Sequence, residues 1–441
     1  MRTGETESVP PFLSDMVEVL YSDIFGISLI AIAILILFGI GEFLRLKTTL
    51  SSEWTRKTSH FGAGLIILTF PWLLSSAVSV FVLTLSFGLI LSTAKRFGLL
   101  QSIHDVERKT SGAYYYPLSV FVIYWLSKGN PVMFCLPITI LALSDAGAAL
   151  VGKQYGSNRF RVMDGYRSFE GSLTFFGLSL TILLVGFAIA KVPGWPEMLL
   201  IAITVSVLTT AIEAISIRGL DNLLIPCSAY LMLERSLRIG LAELSSWFEG
   251  MLLSLLTILL THRISRLTTA GSISIFVAGS MAYALGSWQW FIPLLSLYIA
   301  YTSTNPKERS MRTDMVVVFP TILGALCFIL LYGHYQDPNL YLGYLSTLCS
   351  GGAISMRLMA QRLEYPSMPF VLTGALAPLI PLVFVPNSNV QSLYLGMSVV
   401  SAIIAFQVLA RTSFVGRRLL ATLLGGALAW GFANAQSLKL F

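Results

Sequence analysis

The chain has 441 residues, 55% of them hydrophobic and 12% charged, with a net charge of +7 and a mean hydropathy of +0.76. A soluble globular chain carries about 25% charged residues, so the composition excludes a conventional soluble core and predicts an all-α, polytopic integral membrane protein. In such a protein an excess of Lys and Arg reports loops on one membrane face, and no nucleic acid is expected as a partner.

Residues 1–23 read as a polar, acidic N-terminal tail. No positive segment precedes a short apolar core there, so a cleaved signal peptide is not expected. Apolar runs of spanning length, about 20 residues each, then recur to the C-terminus. In the first half they fall near 24–42, 59–75, 77–94, 114–127, 132–151, 171–190, 197–216 and 223–241. In the second they fall near 247–261, 270–286, 288–303, 315–332, 340–356, 369–385, 391–410 and 419–436. The expectation is about 16 transmembrane helices in two bundles, a membrane domain over 24–241 and a second over 247–441.

The loops carry a consistent charge phase. Arg45, Lys47, Arg56 and Lys57, then Lys95, Arg96, Arg108 and Lys109, then Lys153, Arg159, Arg161 and Arg167 fall on one side; the opposite turns between these spans hold Lys128 and Lys191. The positive-inside rule makes the rich side cytoplasmic. Arg263, Arg266, Lys307, Arg312, Arg357 and Arg417 keep that phase in the second half. The four cysteines, at 135, 227, 327 and 349, are scattered in apolar runs without metal-ligand spacing and read as buried thiols.

Four groups of polar residues stand at span mouths on the basic side. The first is Glu42 and Arg45 with Arg56, Lys57 and His60. His60 lies one helical turn past the cations, an arrangement that suits a phosphate and equally suits a solvated loop with snorkelling cations. The second is the loop from Lys95 to Tyr116, ending in Tyr114-Tyr115-Tyr116-Pro117, where tyrosines serve readily as an interfacial belt. The third runs from Leu143 to Ser172. Asp145, Ala148, Ala149, Gly152 and Gly156 share one helical face, and Arg167-Ser168-x-Glu170-Gly171-Ser172 opens the next span. A carboxylate two turns inside a span is costly and marks a functional site. Mg²⁺ prefers one or two carboxylates plus substrate phosphates, so Asp145 suits that ion, and Lys153, Arg159, Arg161 and Arg167 can neutralise a polyphosphate. A helix N-terminus at Ser168 suits an anion, or the serine simply caps the helix. The fourth group is Glu213, a second intramembrane carboxylate, followed by Arg218, Asp221, Asn222 and Pro226.

Together and in this order the four groups resemble the CTP-dependent polyprenol kinase family, which includes dolichol kinase and phytol kinase. The resemblance rests on Glu42-x-x-Arg45 with Arg56-Lys57-x-x-His60; on Tyr115-Tyr116-Pro117; on Asp145-x-x-Ala148-x-x-x-Gly152-x-x-x-Gly156 with Ser168-x-Glu170-Gly171-Ser172; and on Glu213 with Asp221-Asn222 and Pro226. It covers residues 30–235, and Arg167 stands where the family has Lys. The resemblance implies transfer of the γ-phosphoryl of CTP to an isoprenoid alcohol in the bilayer, with Mg²⁺, at the cytoplasmic face. It implies that Asp145 holds the metal and that Arg56, Lys57, Gly152, Lys153, Gly156, Arg167, Ser168, Glu170, Gly171, Ser172 and Asn222 form the nucleotide site. It leaves His60, Glu213 and Asp221 open as the group that accepts or orients the alcohol proton.

In the second half, Arg266-Leu-Thr-x-x-Gly271, Gly279, Gly286-x-Trp288-x-Trp290 and Thr302-Ser303 weakly resemble the membrane family of phytyl-phosphate kinase. The acidic segment of that family is missing: Ser-Thr-Leu-Cys-Ser-Gly-Gly and then Arg357 stand in its place. Residues 247–441 are therefore read as non-catalytic. Two other readings fit the same residues. A cytidylyltransferase would make a CDP-lipid and release pyrophosphate; a lipid transporter would use Asp145 and Glu213 for coupling ions. Oligomeric state and the alcohol's chain length stay open.

Overall fold

The computed structural model describes residues 18–47, 52–100, 112–162, 165–191, 194–265, 267–304, 313–362, 365–384, 396, 399–400 and 414–437. These residues are nearly all helical. The chain divides into two compact units, one of Met1–Arg159 with Ser168–Glu234 and the other of Phe160–Arg167 with Arg235–Phe441.

In the first unit α1 (Ile24–Lys47) is strongly apolar up to Gly41, then carries Glu42, which accepts from Arg45, and ends in Arg45 and Lys47, where cations complement the negative end of the helix dipole. Helices α2 (Ser52–Ile67) and α3 (Phe70–Leu73) follow, then α4 (Ala77–Arg96). Asp23, buried just before α1, accepts hydrogen bonds from the Ser75 N–H and hydroxyl and the Ser76 N–H at 2.8–3.3 Å. It thereby fastens the entry of α1 to the start of α4. Next come α5 (Gly112–Ser127) and α6 (Pro131–Thr139), then a π-helical turn at Ile140–Ser144 that runs into α7 (Asp145–Tyr155). After the strands described below, α8 (Phe169–Ala190), α9 (Trp195–Ile215) and α10 (Asp221–Ser236) complete the helices up to Ser236.

The second unit holds α11 (Leu241–Ser265), α12 (Thr269–Thr304), α13 (Thr313–Tyr335), α14 (Leu340–Arg362), α15 (Ser367–Leu376), a 3₁₀ segment at Ala377–Phe384 and α16 (Phe414–Ser437). Its glycines serve packing: a side chain at Gly279 would meet Ser254 and Phe291, and one at Gly286 would meet Trp290. The Trp290 ring packs on Tyr332 and Tyr344 at 4.5 and 4.8 Å, and the Tyr344 hydroxyl donates to the Trp290 carbonyl at 2.6 Å.

Seven described helical segments are long and apolar enough to cross a membrane: Ile24–Lys47, Ala77–Arg96, Pro131–Tyr155, Phe169–Ala190, Trp195–Ile215, Leu241–Thr261 and Thr269–Ser303. That is fewer than the sixteen read from the sequence, for visible reasons. The expected spans at 270–286 and 288–303 form one helix broken at Ser287, whose φ of 63° and ψ of −169° leave the helical region. The expected span at 59–75 is divided between α2 and α3, with Pro71 in the first turn of α3. Helices α5 and α10 have 16 residues each, about 24 Å at 1.5 Å per residue, short of a hydrocarbon core of about 30 Å. Most of the expected span at 391–410 lies outside the described residues.

One element departs from the all-α expectation. Strands β1 (Arg159–Val162) and β2 (Gly165–Ser168) pair as a two-stranded hairpin. Arg159-Phe160-Arg161-Val162 alternates exposed and buried, the period-two pattern of a strand. Gly165, at φ 152°, supplies a backbone conformation that side chains avoid.

Candidate active site

The centre of the first unit's polar machinery is Asp145. It follows the π turn at Ile140–Ser144, itself preceded by Pro137, which has no N–H to give the helical ladder. One additional residue in a turn rotates everything after it by about 100°. Single π turns of this kind recur at functional sites. The Ser144 and Ser179 hydroxyls meet at 3.0 Å and tie the turn to α8. Asp145 emerges from it only 5% exposed.

Helix α2 supplies the groups that meet this carboxylate. Lys57, His60 and Gly64 recur at helical spacing on one face. The Lys57 ammonium, also buried, donates to Asp145 Oδ2 at 2.5 Å and lies 3.5 Å from the Asp145 carbonyl. His60 Nε2 stands 3.8 Å from the same Oδ2. From α5 the Tyr116 ring lies against His60, with centroids 4.4 Å apart and planes tilted by 41°. A methyl group at Gly64 would fall 2.4 Å from the Ala142 side chain and 3.3 Å from the Tyr116 hydroxyl. The absence of a side chain at Gly64 is what lets α2 approach the π turn closely enough for Lys57 to reach Asp145. Gly64→Ala should therefore cost about 1–3 kcal/mol by overpacking and loosen the Lys57–Asp145 contact. Thermal unfolding of the variant in detergent checks this; wild-type stability would remove the close-approach argument.

A second polar centre sits about 10 Å along α7, two turns on. A side chain at Gly152 would meet the Ser168 hydroxyl at 2.9 Å, and one at Gly156 would meet it at 2.7 Å; one at Gly171 would come 3.3 Å from the Gly152 Cα. The small face of α7 is thus used to seat the first turn of α8. Ser168 caps that helix by accepting from the Gly171 N–H at 3.1 Å. Glu170 accepts from the Ser157 hydroxyl at 2.7 Å and from the Asn158 backbone and side-chain nitrogens at 3.0 Å each, pinning the loop after α7. Lys153 and Arg159 are exposed at this end, and Arg159 donates to the Gly156 carbonyl at 3.0 Å.

The remaining expected site residues fall as follows. Glu213 is buried near the end of α9, 4% exposed. Asp221 and Asn222 open α10, and the Asn222 amide donates to the Gly112 carbonyl at 3.0 Å, where α5 begins. Tyr230, further along α10, donates to the Leu126 carbonyl at 2.7 Å, so α10 is tied to both ends of α5. Arg167 lies in β2, and Ser172 follows Gly171 in α8. The side chain of Arg56 lies outside the described residues. The structure therefore brings Lys57, His60 and Asp145 together, gathers Gly152, Gly156, Ser168 and Gly171 two turns away, and links Asn222 to α5. It adds Tyr116, whose run Tyr115-Tyr116-Pro117 suits an interfacial belt and is also one piece of the family resemblance, to the residues beside Asp145. Its position ahead of Pro117 in a run of aromatic residues gave no hint of the ring contact with His60.

No family model matches the chain, and no solved structure matches it. A phytol kinase from Synechocystis sp. is 30% identical over 200 residues, which cover 43% of this chain and 82% of that protein. Identity at this level over most of the relative's length, in a helical membrane protein, establishes kinship: the chain belongs to the polyprenol-kinase-like family of which phytol kinase is a member.

Proposed function

We propose that this protein transfers the γ-phosphoryl group of CTP to a long-chain isoprenoid alcohol of the phytol, geranylgeraniol or dolichol type at the cytoplasmic face of the membrane. The observation that carries the reading is the buried Lys57–Asp145 pair with His60 beside it. A carboxylate, a cation and an imidazole from two separate helices converge where an apolar span meets a basic loop. The kinship with a phytol kinase supports the substrate class. The clustering of Arg45, Lys47, Lys95, Arg96 and Lys153 at helix ends supports the cytoplasmic side.

Phosphoryl transfer asks a protein mainly to position groups and to offset charge. The alcohol oxygen forms a bond to the γ-phosphorus, the bond from that phosphorus to CDP breaks, and the alcohol proton leaves to a base. His60, 3.8 Å from the Asp145 carboxylate, is favoured over Glu213 and Asp221 as the group that takes or orients that proton. The Lys57 ammonium has three N–H donors. Two point at Asp145 oxygens, and the third can serve a phosphate oxygen. Lys153 and the first turn of α8, with Ser168, Gly171 and Ser172, would serve the rest of the triphosphate, its N–H groups and dipole favouring anions. Among the described residues no three His, Cys, Asp or Glu gather into a protein-only metal cage. Mg²⁺ does not require one, since one carboxylate plus substrate phosphates suffices. Asp145 fits that donor set and would hold the ion, which supplies charge neutralisation at the phosphates when bound.

The test is turnover by the purified protein of phytol, farnesol, geranylgeraniol and dolichol with CTP or ATP. A prenyl phosphate and CDP are expected. Release of pyrophosphate with a CDP-lipid would make the protein a cytidylyltransferase, and no turnover with any alcohol would reject the kinase reading.

A further inference from the structure

Tyr116 has a buried hydroxyl with no hydrogen-bond partner among the described residues, on a side chain only 8% exposed. Buried polar atoms are almost always paired, and an exception calls for a reason such as a ligand. The ring contact with His60 holds the hydroxyl in place. A methyl group at Gly64, one turn beyond His60 on α2, would fall 3.3 Å from it, and Ala142, one turn before Asp145, packs on the same glycine.

Its depth is informative. Helix α2 begins polar, through Arg56, Lys57 and His60, and ends apolar, Phe61–Ile67 in Phe-Gly-Ala-Gly-Leu-Ile-Ile. The Tyr116 hydroxyl sits beside Gly64, on the apolar side of His60. A nucleotide approaches from the basic loops and meets Lys57 first. An alcohol at the head of a membrane-borne chain approaches through the apolar end and meets Tyr116 before His60. The chemistry agrees with the direction. Phosphate oxygens accept hydrogen bonds and are served by cations. An alcohol both donates and accepts, as a phenol does. A hydroxyl shielded from water also suits a step in which water is the competing nucleophile.

From this placement we infer that the Tyr116 hydroxyl is a binding group for the alcohol oxygen of the isoprenoid substrate, holding it within reach of His60 and Asp145. The inference rests on the prenol-kinase reading for its ligand, and the experiment separates the two. Tyr116→Phe keeps the ring on His60 and removes one unpaired oxygen, so thermal unfolding should be unchanged or slightly raised. Binding of tritiated phytol to the detergent-solubilised protein without nucleotide should weaken about tenfold. The KM for phytol should rise by a similar factor while the KM for CTP stays constant. Wild-type phytol binding by the variant would overturn the assignment, as would a change confined to the KM for CTP or an absence of phytol binding by the wild-type protein. If the wild-type protein binds phytol without phosphorylating it, the kinase reading fails alone and the binding comparison still decides the role of Tyr116.

Discussion

Asp145→Asn should reduce kcat for CTP-driven phosphorylation of a prenol by a factor of about 10²–10³, the loss typical of removing one group that stabilises transition-state charge. The substitution preserves the shape of a buried side chain and removes only the charge. The amide can neither offset the Lys57 ammonium nor serve as a carboxylate ligand for Mg²⁺. The measurement is turnover at saturating CTP in membranes holding equal amounts of folded protein. Full activity in the variant would end the assignment of Asp145 to the reaction centre.

Lys57→Met should destabilise the protein by about 3–5 kcal/mol, because it strands a buried carboxylate without its cation. The two side chains are 7% and 6% exposed, so solvent screens the pair weakly. The double variant Lys57→Met with Asp145→Asn should recover much of that stability, since a neutral pair of similar volume carries no uncompensated charge. It should recover none of the activity. Thermal unfolding of the three variants in one detergent forms a double-mutant cycle. A Lys57→Met protein as stable as wild type would mean that the pair is not formed in the membrane. Additivity of the two substitutions would mean the same.

The individual polar residues of the candidate site were legible in the chain. Asp145 stood out as a carboxylate inside an apolar run, and Lys57 and His60 as a basic cluster at a span mouth. Their partnership was not legible, because 88 residues separate Lys57 from Asp145 and nothing local specifies that α2 lies against the π turn. The contact depends on Gly64 and Ala142, two small residues whose close approach appears only when the helices pack. The glycines of α7 had a pattern that suited either phosphate binding or packing. In the fold they bring α8 against α7, and Ser168 caps α8 from that position. The role of Tyr116 was less legible: its run belongs to the family-like motifs, but an aromatic run at a helix start also has an ordinary explanation. The ring contact with His60 and the buried hydroxyl, unpartnered among the described residues, are seen only in the packed fold.

The membrane character followed from composition, since a chain with 12% charged residues and recurrent apolar runs can satisfy its backbone in lipid chiefly by folding as helices. The order of the polar groups, with their charges at span mouths, likewise needed no coordinates. Span count and site geometry did. Whether an apolar run becomes one helix, two, or a helix broken at Ser287 depends on local backbone breaks and neighbouring packing, which hydropathy averages away. Which cation reaches a buried carboxylate is set by helix rotation, here altered by a single π turn before Asp145, and by glycine-permitted contact. Both are properties of the packed bundle, because an unpaired charge becomes expensive once its surroundings have excluded water from it, and packing decides which partner is then in reach.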